Sequence, residues 1–338
     1  MNYIITGGTG FIGTHLTNLI RERYPDAKIY NLDLVRPGTA NPVVKNYKPA
    51  VREGRVLEST FVECDVRKPI ENLSFTPTSD DIIFNLAAVH RTPGHPDHEY
   101  FETNIRGAEN ICAFAEKYGI RKIVFTSSIA PYGASENLKE EITLPTPNTP
   151  YGISKLLAEK IHQIWQAKNE KNRQLTVVRP GVVFGKGENG NFSRLYWGIR
   201  GNKFMYPGRR DTIKACIYVK ELVRFMLYRV EHHEQGVELY NCTFEPAFTI
   251  EQIVETMKEA TGMNKRVLEL PNWIIMPMAY AAKCLGSPMG ICPARVKKLQ
   301  ISTNICGKKL AASGYKFHYS LEEAIEDWFE DNNRKGLE

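Results

Sequence analysis

Three glycines at the end of the first apolar run constrain this chain more than any other feature. Tyr3-Ile4-Ile5 leads directly into Thr6-Gly7-Gly8-Thr9-Gly10-Phe11-Ile12-Gly13, so Gly7, Gly10 and Gly13 stand where a strand turns sharply into a helix. Such a turn needs backbone freedom and close approach of neighbouring chain, and a Cβ would obstruct both. Asp33 ends the next apolar run, 20 residues after Gly13, which is the length of a strand-helix-strand unit returning to the same sheet edge.

The rest of the first half repeats this alternation. Short β-branched runs at Tyr3 to Thr6, Lys28 to Leu32, Thr60 to Cys64, Ile82 to Leu86, Lys122 to Thr126 and Leu175 to Arg179 predict six strands. Between them, apolar residues recur at three- and four-residue spacing over Ile12 to Arg23, Tyr100 to Tyr118 and Tyr151 to Asn169, which predicts helices. The expected fold class is α/β, a doubly wound parallel (Rossmann) sheet with a smaller, mixed α/β substrate domain at the C-terminal end. The first domain is expected over residues 1–180 and the second mainly over 181–338, where glycine-rich loops begin. Ala215 to Val219 and Val237 to Asn241 are candidate returns of the chain to the main sheet. Trp273 to Ala282 reads as a buried helix, because Pro277 and Lys283 leave it well short of the roughly 20 apolar residues that span a bilayer; the alternative is a membrane-surface role with Trp273 and Tyr280 at the interface.

The glycine turn carries a chemical expectation. A diphosphate placed over it would meet the unpaired N–H groups and the positive end of the helix dipole. Asp33 would accept from a ribose 2′-hydroxyl and repel a 2′-phosphate, which predicts NAD rather than NADP. Tyr151 and Lys155, four residues apart in Tyr151-Gly152-Ile153-Ser154-Lys155, fall on one helical face, where an ammonium can lower the tyrosine pKa. A phenol so tuned serves as general acid or base. Thr126-Ser127-Ser128 ends the fifth predicted strand, at the sheet edge where such folds bind ligands, and offers the hydroxyl that would complete the site.

These motifs resemble the NAD-dependent epimerase/dehydratase family, the extended short-chain dehydrogenase/reductases, and within it the nucleotide-sugar 4-epimerases. The resemblance covers nearly the whole chain: the Thr6 to Gly13 opening, Asp65, Asn85-Leu86-Ala87-Ala88, Asn104, the Tyr151/Lys155 pair, Arg179-Pro180-Gly181 and Leu321-Glu322-Glu323-Ala324. It implies cofactor contacts from Gly7, Gly10, Phe11, Ile12, Gly13, Asp33, Asp65, Val66, Leu86, Ala87, Ala88, Asn104, Tyr151, Lys155 and Pro180. It makes Ser128, with Ser127 as the alternative, the substrate-binding serine, Tyr151 the acid/base, and Lys155 the group that holds the nicotinamide ribose. It further implies substrate contacts from His90, Asn191, Tyr206, Lys214 and Arg295.

Two departures narrow the reaction. The family's 4,6-dehydratases carry an Asp-Glu pair directly after the catalytic hydroxyl residue, and here those positions are Ile129 and Ala130, which argues against water elimination. Where many sugar-nucleotide epimerases have an Asn and an Arg, this chain has Val182 and Lys214. The expected reaction is 4-epimerisation of a UDP-sugar-like substrate through a transient 4-keto sugar. An NAD(P)H-dependent reductase or dehydrogenase of a keto-sugar nucleotide or another secondary alcohol shares the same triad. A non-catalytic dinucleotide-binding protein would typically have lost Tyr or Lys.

Charge and cysteine usage exclude other classes. A net charge of +6 from 44 basic and 38 acidic residues, without a basic run, gives no nucleic-acid signature. Seven cysteines scattered singly form neither a disulfide framework nor a zinc motif. His90, His95 and His98 lie in a loop with two prolines and a glycine, and no metal is expected there. The opening residues lack a secretory signal, which with the reduced thiols predicts a cytoplasmic enzyme that does not enter membranes. By the resemblance, helices 100–118 and 151–169 are expected to pair two copies into a homodimer.

Overall fold

The computed structural model describes residues 1–37, 58–90, 94–234, 236–284 and 293–338; within helices, the side chains of residues 282, 283, 294 and 295 also lie outside the description. The chain begins with β1 (Asn2–Thr6), α1 (Phe11–Arg23), β2 (Lys28–Asp33), β3 (Thr60–Glu63), β4 (Ile82–Asn85), α2 (Asp97–Tyr118) and β5 (Lys122–Thr126). It continues with β6 (Ser135–Lys139), α3 (Pro150–Ala167), β7 (Gln174–Pro180), β8 (Val182–Phe184), α4 (Asn191–Arg200), β9 (Tyr206–Pro207), β10 (Ile213–Lys214) and β11 (Cys216–Tyr218). Then follow α5 (Val219–Glu231), β12 (Gly236–Cys242), β13 (Phe248–Thr249), α6 (Ile250–Ala260), β14 (Glu269–Leu270), α7 (Asn272–Cys284), α8 (Pro293–Gln300), β15 (Thr303–Ile305), α9 (Lys308–Ala311) and α10 (Leu321–Asp331).

Seven strands form one parallel sheet in the order β12-β7-β5-β4-β1-β2-β3. The order reverses at β1 and β4, so the loops after those two strands diverge and leave a crevice at their carboxyl ends. Alternation along each strand supplies both covering layers. Tyr3, Ile5, Ile82, Phe84 and Val124 pack with Leu16 and Ile20 of α1 and Leu222, Phe225 and Met226 of α5. Ile4, Ile83, Ile123 and Phe125 pack on the other face with Ile111 and Ala115 of α2 and Ala158 and Trp165 of α3.

All six strands expected in the first half are present, and Gly236–Cys242 returns to the sheet edge beside β7. Ala215 to Val219 does not return to it. Cys216–Tyr218 instead pairs with Val182–Phe184 in a separate two-stranded sheet. A four-stranded mixed sheet, β13-β10-β15-β6, joins segments that are far apart in sequence. Beside these small sheets, Phe192, Tyr196, Ile253, Val254, Met257, Ile325 and Trp328 build a further core.

The helix expected over Trp273 to Ala282 forms as α7, but it is not buried: Trp273, Met278 and Tyr280 are exposed. Apolar composition set its helical length, whereas no neighbouring layer covers those three side chains among the described residues. No helix among the described residues is long and apolar enough to cross a membrane.

Candidate active site

The glycine turn has the geometry its sequence requires. Gly7 adopts φ +70°, and a Cβ there would lie 2.8 Å from the amide nitrogen of Ala87. A Cβ on Gly13 would lie 2.5 Å from the Gly8 carbonyl oxygen, so the first turn of α1 presses directly on the loop. Gly10 precedes α1 without a side-chain cap, which leaves the leading N–H groups of the helix for a ligand. Asp33 accepts from the Thr9 N–H (3.1 Å) and the Val35 N–H (3.1 Å), bracing the loop from the end of β2. A carboxylate has about four acceptor positions, so it keeps capacity for a ribose hydroxyl. This cradle, which Cβ atoms would fill, fits a dinucleotide diphosphate.

The wall beside it is built from the ends of β3 and β4. Asp65 receives a two-pronged bond from Arg67 (Nε to Oδ1 2.8 Å, Nη2 to Oδ2 2.7 Å), which holds its carboxyl below the usual range. Val66 packs against Gly107 of α2, where a Cβ would lie 3.1 Å away. The Leu86 N–H donates to the Thr6 carbonyl (3.0 Å), and Ala87 and Ala88 follow beside the glycine turn. Asn104 ties the wall to α3: its Oδ1 accepts from the Val89 N–H (3.0 Å), while its Nδ2 donates to the Val89 carbonyl (3.1 Å) and to Ser154 Oγ (2.8 Å). Ser154 in turn donates to the Tyr151 carbonyl at 2.9 Å.

Helix α3 starts where Thr149 caps the Gly152 N–H (3.1 Å) and Pro150 pre-sets the first turn. Gly152 lets that turn approach the segment after β5, since a Cβ would lie 2.7 Å from the Ala130 carbonyl. Ser128 lies close enough to the Tyr151 phenol to favour its ionised form, and Tyr100 packs beside Tyr151 with ring centroids 6.2 Å apart. The two candidate serines divide: Ser128 meets Tyr151, whereas Ser127 is buried and donates to Glu159 Oε1 at 2.5 Å. Lys155 donates from Nζ to the Thr126 carbonyl at 2.5 Å and lies 4.5 Å from the centroid of Phe125. Pro180, at the end of β7, accepts from the Ile129 N–H at 3.2 Å and so fixes the residue after Ser128.

The expected effect of Lys155 on Tyr151 is not what the cofactor-free geometry shows. Burial pushes the Tyr151 phenol up to about 12, against the hydrogen bond from Ser128. Burial also pushes Lys155 down to about 7, against the attraction of Glu159. The ammonium is bonded to a backbone carbonyl, and desolvation outweighs it at the phenol.

Three groups that spacing did not single out complete the site's support. Glu159 is fully buried and accepts from Arg179 through Nε (2.8 Å) and Nη2 (2.6 Å). Arg179 stacks over Tyr132, its Cζ 4.6 Å from the ring centroid, and Tyr132 donates to Asn241 Oδ1 at 2.9 Å. His162 stacks on Phe125, with ring centroids 4.3 Å apart, and contacts Asn85 Nδ2 at 3.2 Å. Arg179 at the end of an apolar strand was the available signal, because a buried guanidinium requires an acid.

The substrate contacts expected from the second half are more dispersed. Lys214 donates from Nζ to the carbonyls of Lys298 (3.0 Å) and Ile301 (2.6 Å), closing the C-terminal end of α8, and burial lowers its pKa to about 8. Tyr206 is 1% exposed and packs in the C-terminal core with Arg210 over its ring at 5.0 Å. Its buried hydroxyl has no hydrogen-bond partner. Asn191 opens α4, exposed, and accepts from Arg194 Nη2 at 3.0 Å. His90 is exposed after β4, while His95 pairs with Glu99 at 2.6 Å. Arg295 lies in α8 with its side chain outside the described residues, as does Cys292 entirely. Among the described residues no group of three or more His, Cys, Asp or Glu is placed to hold a metal ion.

Comparison with known proteins agrees with this geometry. The model of the NAD dependent epimerase/dehydratase family matches residues 3–243. An N-acetyl-alpha-D-glucosaminyl-diphospho-ditrans,octacis-undecaprenol 4-epimerase of Escherichia coli O157:H7 is 30% identical over 331 residues, covering 96% of this chain and 93% of that protein. A UDP-glucose 4-epimerase of Bacillus subtilis is 27% identical over 295 residues, covering 78% and 83%. The solved UDP-N-acetylglucosamine 4-epimerase of Methanobrevibacter ruminantium, in complex with UDP-N-acetylmuramic acid, superposes with a TM-score of 0.74 at 21% identity, over 98% of both chains. The UDP-glucuronic acid 4-epimerase of Bacillus cereus, in complex with NAD, gives 0.72 at 19% identity, over 99% of both chains. With its glycine cradle, its acidic residue at the end of β2 and its Tyr-Lys helix in place, the chain belongs to the NAD-dependent epimerase/dehydratase family of extended short-chain dehydrogenase/reductases and takes NAD as its cofactor.

Proposed function

We propose that this protein is an NAD-dependent 4-epimerase of a sugar carried on a diphosphate. The observation that carries the reading is Ser128 beside the buried Tyr151, together with a glycine cradle that fits a dinucleotide, and with Ile129 and Ala130 where a dehydratase needs an acid and a base. The glycine turn, Asp33 and Lys155 would hold NAD, which when bound would supply a reversible hydride acceptor for the sugar. Tyr151 takes the proton of the 4-hydroxyl as the 4-keto sugar forms and gives it back to that oxygen when hydride returns to C4 from the other face. Ser128 holds that oxygen in both directions. Lys155, anchored on the Thr126 carbonyl, holds the ribose side of the cleft and supplies the local positive charge in its protonated form.

A nucleotide diphosphate is the carrier named for the UDP-sugar relatives. A polyprenyl diphosphate is a second reading, favoured by the Escherichia coli relative, which matches almost the whole chain. It also accords with Lys214, whose ammonium is bonded to two backbone carbonyls, and with Tyr206, whose ring is packed in the core, rather than being left open for a nucleotide. The test is incubation with NAD and either UDP-sugars or polyprenyl-diphosphate sugars in detergent micelles, with chromatography of the products. Conversion to the 4-epimer without net absorbance change at the NADH band supports the epimerase. If every conversion needs stoichiometric NAD(P)H and a keto-sugar, the protein is a reductase.

The homodimer through α2 and α3 belongs to the same proposal. Ile153, Leu157 and Ile164 leave an exposed apolar stripe on α3, the helix that carries Tyr151 and Lys155.

A further inference from the structure

Helix α7 presents an apolar surface that the proposed reaction does not use. Trp273 is 77% exposed, Met278 50% and Tyr280 54%, with Leu268 and Ile301 exposed at the edges of the same unit. Five of the fourteen exposed large hydrophobic side chains among the described residues therefore fall between residues 268 and 301. The charge pattern is equally one-sided. From Leu268 to Ile301 the sequence holds a single acid, Glu269, which is paired with Arg210, against Lys283, Arg295, Lys297 and Lys298. Lys297 and Lys298 are exposed on α8, which packs beside α7 through a bond from Gln300 to Asn272.

We propose that α7 and the basic end of α8 form a docking surface for an anionic lipid bilayer. A short helix with exposed Trp and Tyr, flanked by lysines and itself free of carboxylates, suits the headgroup region: the amphipathic rings sit at the boundary and the ammonium groups meet lipid phosphates. An ordinary soluble surface would intersperse both signs of charge. The placement also suits the site. Lys214 closes the end of α8, and the next residue, Ala215, packs with Ile129 and Tyr132 directly after Ser128. The Gly208 N–H donates to the Leu270 carbonyl at 2.8 Å, tying the entry to α7 onto the same subdomain. A docked α7 thus holds the catalytic cleft at the lipid surface, where a polyprenyl-linked sugar resides; this role rests on the polyprenyl reading of the carrier.

The test is co-sedimentation of the full NAD-loaded chain with phosphatidylcholine vesicles, with and without phosphatidylglycerol, together with the emission of Trp273. The expected result is binding to the anionic vesicles, weakened by salt, with a blue shift of tryptophan emission. Trp273→Ser with Tyr280→Ser, and separately Lys297→Glu with Lys298→Glu, are expected to weaken binding at least about tenfold. Both variants should retain the parent's thermal unfolding and NAD affinity. No binding at low salt, or binding unchanged in both variants, overturns the proposal. So does a dimer that the Trp273/Tyr280 variant dissolves without any vesicle binding, which would make this face an interface between copies. Turnover of UDP-sugars alone by a protein that binds vesicles would sink the carrier reading and leave the docking surface standing. Turnover of polyprenyl-linked sugar without vesicle binding would do the reverse.

Discussion

Glu159 stands one turn beyond Lys155 on α3, fully buried, and its charge is what opposes desolvation of the lysine ammonium. Burial still prevails and takes Lys155 down to about 7. Between that value and the ordinary lysine range the unfolded chain binds the proton more tightly than the folded one, so this group makes stability rise with pH across that window. Below about pH 7 the folded protein carries the full penalty of a buried ammonium. Lys155→Met is therefore expected to be stabilised relative to the parent at pH 6, on the order of a few kcal/mol, and to lose that advantage towards pH 10. Chemical denaturation of the cofactor-free proteins at both pH values measures it. An advantage independent of pH would show that Lys155 does not titrate in this range.

Tyr151 gives a second prediction. With its phenol pushed up to about 12, the cofactor-free protein should show no tyrosinate from this residue at pH 8 to 9, and the positive nicotinamide of NAD should bring its ionisation down. Difference absorbance of the parent against Tyr151→Phe, with and without NAD, reads both. The same variant should lose roughly 10²-fold to 10⁴-fold in turnover while binding NAD nearly as the parent does. Retention of a tenth of the rate would remove Tyr151 from the acid/base role.

Asp33 is expected to act twice. Replacing it with Ala removes the charge that opposes a 2′-phosphate and also the acceptor for the Thr9 and Val35 N–H groups. NAD affinity should fall about tenfold or more, and the gap between NAD and NADP should narrow. Calorimetric titration with both cofactors decides; equal affinities in the parent would contradict the reading of Asp33.

The exposed stripe on α3 yields a prediction about assembly. Leu157→Lys places a charge among Ile153, Leu157 and Ile164 without touching the buried face of the helix. The expected outcome is a monomer of unchanged NAD affinity in sedimentation velocity. A parent that is monomeric at the same concentration would remove the dimer.

The parallel sheet was legible because glycine turns and period-two or period-3.6 patterning are local properties, written at Gly7 to Gly13 and along α2 and α3. The hydroxyl partner of Tyr151 was narrowed to Thr126-Ser127-Ser128 for the same reason, but only packing separates Ser128 from Ser127, since Glu159 claims the latter. Long-range choices were not legible. An apolar segment such as Trp273 to Ala282 reads alike whether a layer covers it or not, and Ala215 to Val219 has strand composition without any sign of which strand it joins. Lys214 likewise looks like a cation for phosphate until the end of α8 arrives beside it.

The strand Ser135–Lys139 pairs with Thr303–Ile305, and the bond from Ser302 Oγ to Glu136 Oε2 (2.8 Å) fastens the junction. A segment that precedes α3 is thus stitched to one more than 160 residues later. Chimeras that exchange everything after residue 180 for the corresponding half of a relative would split this seam, bringing a foreign β15 against a native β6. Specificity in this scaffold is therefore expected to transfer better when residues 135–139 travel with the later half, and single-point recombination between residues 139 and 303 should yield fewer soluble products than a cut before residue 135.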